Sequence, residues 1–336
     1  MVDSHQHLRN ENYTTSQAPA TSRLVMGERQ IHPQFFADAQ WLHQRLLSHH
    51  PPLVIDVTRG KGNYPLDTNR TAEDFAKAHI PGAIHLNTDE LGEFKDYFVD
   101  VETMKQIFLS KGVTADTQVV FYSIYARNIL YIASRMAFAA YYLGVQDVKI
   151  LDGGFQAWQR AGYPIETGTT SPDIVTTFNA HVPRYPDLLI RTPEDVLTAK
   201  AKDPTLKLVS VRSWNEFIGK NEGHQWNKDA GEIAGAIYAG DEKLANELGE
   251  IAAPNVYQGD WEDWGIQPTD HLLLYCGTSW RSATLFFLMK ELGYQHLQLF
   301  DGSWHKWYLA HEKDPQRFPI QRGDPRDKES YEVIDE

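Results

Sequence analysis

The residues with the clearest chemical potential lie in the segment LLLYCGTSWRS, residues 272–282, which holds the only cysteine of the 336-residue chain. Cys276 follows an apolar run that predicts a buried strand, Leu272–Tyr275, and apolar residues then recur at helical spacing over Ala283–Leu292. A thiol at such a turn faces unsatisfied N–H groups of the helix N-terminus, which stabilise a thiolate and bind anions. The segment therefore predicts a nucleophilic cysteine beside an anion-binding loop.

The alternative for a lone cysteine after apolar residues is an inert core position. The glycine, the hydroxyl groups and the arginine that follow make a poor apolar core but a suitable anion cradle, and they favour chemistry. Arg281 can make a two-point contact with an oxyanion or can hold the loop through its carbonyls. Trp280 can exclude water from a pocket or pack against another domain. The predicted substrate-binding loop comprises Gly277, Thr278, Ser279, Trp280 and Arg281.

Composition excludes several classes of function. A net charge of -13 argues against a nucleic-acid or membrane partner held by bulk electrostatics. One cysteine excludes an intrachain disulfide framework and any zinc site that needs two thiolates, and it suits a reducing compartment. The sequence shows no signal-peptide pattern at its start and no apolar run of membrane-spanning length, so we expect a cytoplasmic protein.

The second half of the chain repeats four segments of the first half in the same order. LVIDVTRG, HIPGAIH, GVTADTQVVFYS and YYLGVQDVKILDGGFQAW correspond in turn to LVSVRSWN, EIAGAIY, GIQPTDHLLLYC and KELGYQHLQLFDGSWHKW. The offset is near 153 residues up to Tyr122 and 149 from Gly144 onward, so the first copy has a small insertion. Ser123 stands where Cys276 stands in the second copy. Only the second copy therefore has a thiol.

Each copy alternates short β-branched runs with helical segments, which is typical of a mostly parallel sheet with helices on both faces. In the first copy this pattern predicts strands over Leu53–Val57, Val119–Tyr122 and Asp147–Leu151 and a helix over Ala72–Ala78. Ligands of such sheets collect beyond the carboxyl ends of the strands, where Cys276 lies. The predicted fold class is α/β with two similar domains.

Polar, glycine-rich and proline-rich stretches separate these domains from their flanks. We expect a flexible N-terminal arm, a first domain, a linker, a second domain and a flexible C-terminal tail. Their predicted bounds are residues 1–30, 31–163, 164–186, 187–312 and 313–336.

These features together resemble a tandem-domain rhodanese, a sulfurtransferase of the thiosulfate or 3-mercaptopyruvate type. The resemblance runs from about Pro33 to Leu309 and rests on HIPGA at residues 79–83, the Asp-Gly turns into Trp-bearing helices, and the Cys276 loop. The loop Cys-Gly-Thr-Ser-Trp-Arg resembles that of a bacterial branch in which Trp and Arg close the loop. The resemblance implies two rhodanese-like domains, the first inactive because of Ser123 and the second catalytic.

The resemblance also implies further site residues. Arg212 in VSVRS matches an arginine that family members use to bind the anionic end of the substrate, with a structural salt bridge as the competing role. Ser210 stands where many relatives have an aspartate. Asp89 matches an accessory acid of the first domain that is proposed to assist the loop hydroxyl and the cysteine in mercaptopyruvate-type enzymes. Thr278 matches that hydroxyl, and it can instead cap the helix.

The predicted function is sulfur transfer through a Cys276 persulfide, which needs neither a metal nor a cofactor. The donor is a small anion, thiosulfate or a mercapto acid such as 3-mercaptopyruvate, and the acceptor is cyanide, a thiol or a protein. Four residues separate Cys276 from Arg281, one fewer than in cysteine phosphatases of similar architecture, so the spacing disfavours that class. The alternative of another class is a non-catalytic sulfur-carrier or partner-binding module.

Overall fold

The protein folds around two parallel sheets and a small antiparallel sheet in the part of the chain described by the computed structural model. The described residues are 34–58, 72–93, 97–123, 129–223 and 230–336. The predicted N-terminal arm lies outside them.

The first domain has a parallel sheet with the strand order β1-β5-β4-β2-β3. Its strands are β1 (Phe36–Ala37), β2 (Leu53–Thr58), β3 (Ile84–Asn87), β4 (Gln118–Tyr122) and β5 (Asp147–Leu151). Its helices are α1 (Ala39–Leu46), α2 (Ala72–Lys77), α3 (Val101–Ser110), α4 (Ile129–Leu143) and α5 (Gly154–Arg160). The predicted strands and helix of this copy are each found to within one residue at either end.

The second domain repeats this topology with the strand order β6-β11-β10-β7-β9. Its parallel strands are β6 (Leu189–Ile190), β7 (Lys207–Ser210), β9 (Ile237–Tyr238), β10 (His271–Tyr275) and β11 (His296–Phe300). Its helices are α6 (Pro193–Lys202), α7 (Trp214–Phe217), α8 (Gln258–Asp263), α9 (Trp280–Glu291) and α10 (Ser303–His311). Corresponding strands occupy corresponding places in the two sheets, which confirms the predicted α/β fold.

A three-stranded antiparallel sheet in the order β13-β12-β8 contradicts one expectation. Its strands are β8 (Glu232–Ile233), β12 (Ile320–Arg322) and β13 (Glu332–Ile334). The C-terminal residues, expected to be a flexible tail, instead pair with the second domain, and Ile320 is fully buried. The hydrogen bonds of the strand pairing and the burial of Ile320 order these residues despite their polar composition.

The central strands pack on helices at both faces, because alternate residues point to opposite sides of a sheet. Val120 and Tyr122 of β4 share a core with α1, α2 and α5, whereas Val119 and Phe121 face α3 and α4. In the second domain, Tyr275 of β10 packs with α6, α7 and α10, and the opposite face packs with α8 and α9. Helices therefore cover both faces of each sheet.

Helices α4 and α9 lie against each other and join the two domains through one hydrophobic core. The rings of Phe138 and Phe286 meet edge to face with centroids 5.0 Å apart. Thr284 Oγ1 donates a hydrogen bond to Ser134 Oγ at 3.0 Å across the same interface. The two domains are therefore packed as one body.

The segment from residue 164 to residue 185 contains no helix or strand beyond an isolated bridge between His79 and Glu166. Phe178 of this segment is buried in the shared core. No helix in the described part of the chain is long and apolar enough to cross a membrane.

Candidate active site

Cys276 lies directly after β10, at the carboxyl end of the central strand of the second sheet. Strands β11 and β7 pair with β10 on its two sides and fix where that strand ends. Helix α9 begins at Trp280, after Ser279, whose φ of 61° lies in the left-handed region. The chain thus turns from strand to helix within residues 276–279.

Hydrogen bonds from α10 hold the backbone of this turn. The Cys276 N–H donates to Ser303 Oγ at 3.3 Å. The carbonyl groups of Cys276 and Gly277 accept the N–H groups of Trp304 and His305 at 2.9 and 3.0 Å. The first turn of α10 therefore fixes the two residues at the start of the loop.

The thiol is enclosed by the loop and by α9. Cys276 is 1% exposed, and its Sγ lies 3.9 Å from the hydroxyl of Ser282. Among the described residues, the backbone N–H groups of Gly277, Thr278 and Ser279 find no protein acceptor. Thr278 is buried and its hydroxyl makes no hydrogen bond with a described residue, so it does not cap α9. These donors beside the sulfur can bind an anion.

The guanidinium of Arg281 contacts two carboxylates. Its guanidinium makes a two-point contact with Glu216, at 2.7 and 2.9 Å, and a third contact with Asp241 at 3.3 Å. Tyr131 of the first domain also donates to Asp241, at 3.2 Å. Burial raises the pKa of Glu216, but the charges of Arg281 and Arg212 outweigh it and hold this pKa well below its usual range. Arg281 thus belongs to a network of ion pairs, and both its donor-binding role and the alternative of bonding loop carbonyls stay predictions.

Arg212 belongs to the same network and is fully buried. Its guanidinium donates to Glu216 at 3.4 Å and to Glu232 at 3.3 Å. Ser210 Oγ and Tyr275 Oη donate to the same Glu232 carboxylate at 2.6 and 2.7 Å. These contacts are those of a buried salt bridge, the structural alternative for Arg212, and its substrate-binding role stays a prediction. Glu232 provides the negative charge that an aspartate at position 210 would provide.

A residue of the first domain reaches the loop from the other side. Arg135 of α4 donates to Ser279 Oγ and, at 3.2 Å, to Asp301. Its guanidinium lies 3.8 Å from the ring centroid of Phe98 and 5.1 Å from that of Trp280. Burial lowers the pKa of Arg135 from its usual value, and the charge of Asp301 opposes this effect. Trp280 is therefore packed against the other domain, and both domains shape the loop.

The sequence points to two residues of the first domain, Asp89 as an accessory acid and Ser123 as the counterpart of Cys276. Asp89 lies in a 3₁₀ helix, Thr88–Leu91, and its backbone N–H donates to Asn87 Oδ1 at 3.0 Å. Its accessory role stays a prediction. Ser123 is fully buried, and its carbonyl accepts the N–H of Phe155 at 3.1 Å, as the Cys276 carbonyl accepts that of Trp304. The first copy thus keeps this hydrogen bond at the end of its central strand, with a hydroxyl in place of the thiol.

Sequence reasoning missed Ser282, Arg135 and the two glutamates of the ion-pair network. Ser282 stands one turn inside α9, where helical spacing could have placed it near the sulfur. Glu216 follows Arg212 by four residues, a spacing that predicts an ion pair on a helix. Arg135 is the only charged residue of the apolar segment ILYIASRMAFAAYYL, and this pattern could have indicated a buried arginine.

Comparison with known proteins agrees with this architecture. A family model described as "Rhodanese-like domain" matches the chain twice, over residues 38–161 and 192–310. The thiosulfate sulfurtransferase YnjE of Escherichia coli is 34% identical over 261 residues, which are 74% of this chain and 56% of that protein. The chain thus matches little more than half the length of this relative.

Solved structures of two related proteins superpose on most of the chain. The crystal structure of YnjE has a TM-score of 0.74 at 30% identity and covers 87% of this chain and 68% of that one. Wild-type EanB has a TM-score of 0.75 at 26% identity, covering 87% and 70%. An EanB variant has been solved with a cysteine persulfide and ergothioneine. With the family domain found twice and the same strand order in both copies, the chain belongs to the rhodanese family.

Proposed function

We propose that this protein is a sulfurtransferase of the thiosulfate type that carries a sulfane sulfur as a persulfide on Cys276. The observation that carries the proposal is the position of the only thiol, at a strand-to-helix turn beside backbone N–H groups without protein acceptors in the described structure. A thiolate and a persulfide are both anions, so the same donors stabilise the nucleophile and the intermediate. The name of YnjE and the persulfide seen in EanB agree with this chemistry.

In the first half-reaction the Cys276 thiolate attacks the outer sulfur of thiosulfate. A new S–S bond forms to Cys276, the S–S bond of thiosulfate breaks, and sulfite leaves with the bonding electron pair. With 3-mercaptopyruvate, a C–S bond breaks instead and the pyruvate enolate takes up a proton. Burial of the thiol at 1% exposure excludes water from the persulfide.

In the second half-reaction an acceptor removes the outer sulfur. Cyanide attacks it through carbon, the S–S bond to Cys276 breaks, and thiocyanate leaves while the thiolate is restored. A thiol acceptor reacts in the same way and leaves as a persulfide. Because donor and acceptor react in separate steps at one sulfur atom, we expect ping-pong kinetics.

The test is thiocyanate formation from thiosulfate and cyanide by wild type and Cys276→Ala, repeated with 3-mercaptopyruvate as donor. We expect turnover by wild type only, with thiosulfate the better donor. Mass spectrometry of donor-treated wild type should show an added mass of about 32 Da, one sulfur atom, on Cys276. Equal activity of the variant would refute the proposal. A persulfide that forms without turnover would instead favour the sulfur-carrier module, and the absence of both would favour a partner-binding module.

A further inference from the structure

Three aromatic rings of the second domain form a cavity apart from the Cys276 loop. The rings of Trp214 and Tyr238 have centroids 5.1 Å apart and are inclined by 77°. The ring of Trp264 lies 6.1 Å from Tyr238 and 6.4 Å from Trp214, inclined by 60° and 55°. The cavity measures about 270 Å³, and none of residues 276–281 lines it. Each ring also lies 5.2–5.7 Å from the fully buried ring of Phe217, so the three rings form a packed cluster, and only their outer side lines the cavity. We call this outer side of Trp214, Tyr238 and Trp264 the aromatic cage.

A cation of the chain already lies against this cage. The guanidinium carbon of Arg326 lies 4.2 Å from the ring centroid of Trp264 and 5.7 Å from that of Trp214. Asp324 holds the same guanidinium through Nε at 3.0 Å and Nη2 at 2.9 Å. The Arg326 side chain is still 51% exposed, so it covers the cage at its edge without filling it. The cage therefore accepts a positive charge at its aromatic walls.

Carboxylates line the same cavity. Glu242 accepts the hydroxyl hydrogen of Tyr238 at 2.8 Å and the backbone N–H of Trp214 at 3.3 Å, so it fixes two of the three walls. Asp260 is paired with Lys243 at 2.6 Å, and Asp263 also lines the cavity. Its lining thus has three carboxylates against the two cations Lys243 and Arg326.

We propose that the aromatic cage is a binding site for a small organic cation, with a quaternary ammonium or alkylguanidinium group, and that Arg326 competes for it. Such cations are weakly hydrated and gain from aromatic faces and a nearby negative charge once they leave water. The cavity is smaller than the roughly 300–1,000 Å³ typical of drug-sized ligands, which fits a compact cationic head group. The site is independent of the sulfur-transfer proposal, because it shares no residue with the thiol loop.

The experiment measures choline binding to the full chain by isothermal titration calorimetry. Arg326→Ala removes the internal competitor, and we expect it to bind choline about tenfold more tightly than wild type, because choline no longer competes with a cation at the edge of the cage. Arg317→Ala removes a tail cation that lies over Phe318 outside the cavity, and it should match wild type. The neutral isostere 3,3-dimethylbutan-1-ol should bind neither variant.

Two further variants on the Arg326→Ala background test the walls and the charge. Trp264→Leu removes one wall and should abolish choline binding. Glu242→Gln retains hydrogen-bond acceptance toward Tyr238 and Trp214 but loses the charge, so it should weaken binding without loss of folded structure by circular dichroism. The proposal is overturned if Arg326→Ala binds choline no more tightly than Arg317→Ala, if the isostere binds equally well, or if folded Glu242→Gln binds choline with unchanged affinity.

Discussion

Arg135 of the first domain and Asp301 of the second form an ion pair across the domain interface in which both side chains are buried, with 3.2 Å between Nη2 and Oδ1. Asp301 also accepts the backbone N–H of Phe98 at 2.8 Å and the hydroxyl of Ser279 at 3.3 Å. The corresponding Asp152 of the first copy accepts the backbone N–H of Ile251 of the second domain at 2.8 Å. The Arg135–Asp301 ion pair therefore joins the first domain to the loop that holds the thiol.

Replacing Arg135 should destabilise the whole protein. Arg135→Met leaves the Asp301 charge buried without its partner, and we expect a loss of about 3–5 kcal/mol in the free energy of unfolding by urea. Arg160→Ala is the control, because Arg160 also pairs across the interface, with Glu250 at 2.8 Å, but is 39% exposed. That variant should lose less than about 1 kcal/mol. Equal losses in the two variants would contradict the importance of burial.

Glu216 should make stability depend on acid pH. Its folded-state pKa is depressed, so its contribution is fully present above its unfolded pKa of about 4.3 and is lost as the pH falls through the folded value. Glu216→Gln should therefore be less stable than wild type at pH 7, and this difference should shrink as urea unfolding is repeated at pH below about 4.3. Asp74→Asn, which removes an exposed pair with Lys77, should show little difference at any pH. A difference that is constant with pH for Glu216→Gln would count against the depressed pKa.

Arg281 should support turnover by holding the loop rather than by binding the donor. Arg281→Lys keeps the charge but loses the two-point contact with Glu216, and we expect kcat to fall by roughly tenfold, the effect of about 1.5 kcal/mol. The fall should be the same with thiosulfate and with 3-mercaptopyruvate, and KM should change little. A rise in KM confined to the doubly charged thiosulfate would instead indicate direct anion binding.

Ser282 should stabilise the sulfur anion through its hydroxyl, 3.9 Å from Sγ. Ser282→Ala should lower kcat for thiocyanate formation by about tenfold or more, since a hydrogen bond to a charged group contributes about 1.5–3 kcal/mol. Ser134→Ala is the matched control. It removes a buried hydroxyl of α4 that accepts a hydrogen bond from Thr284, which lies in α9 together with Ser282. We expect it to reduce stability and leave kcat unchanged. Similar kcat values for the two variants would mean that the Ser282 hydroxyl acts only in packing.

Local pattern was sufficient to predict four strands of the two parallel sheets, the repeat and the position of Cys276 at the end of a strand. Strands β4 and β10 are apolar runs bounded by turn residues, and the Ser123 and Cys276 positions align because both copies leave the sheet at the same place. These features depend on residues that are close in sequence.

The polar network around the loop was not predictable in the same way. Arg135 meets Ser279 across 144 residues and Arg281 meets Glu216 across 65, so no periodicity connects the partners. Arg212 was assigned to the substrate because its motif matched, whereas its complete burial and its contact with Glu232 follow from the tertiary fold. The C-terminal residues were expected to be flexible from composition, but their strand pairing depends on β8, far away in the sequence.

The shared core of α4 and α9 has a consequence for the thiol-less copy. If the two halves were separated, the aromatic rings of this core, such as Phe138 and Phe286, would be exposed to water in both halves. The second half alone would therefore expose the apolar face of α9 and would lose the contacts of Arg135 with Ser279 and Asp301. The copy that has Ser123 at the cysteine position is thus a structural support of the thiol that only the other copy has.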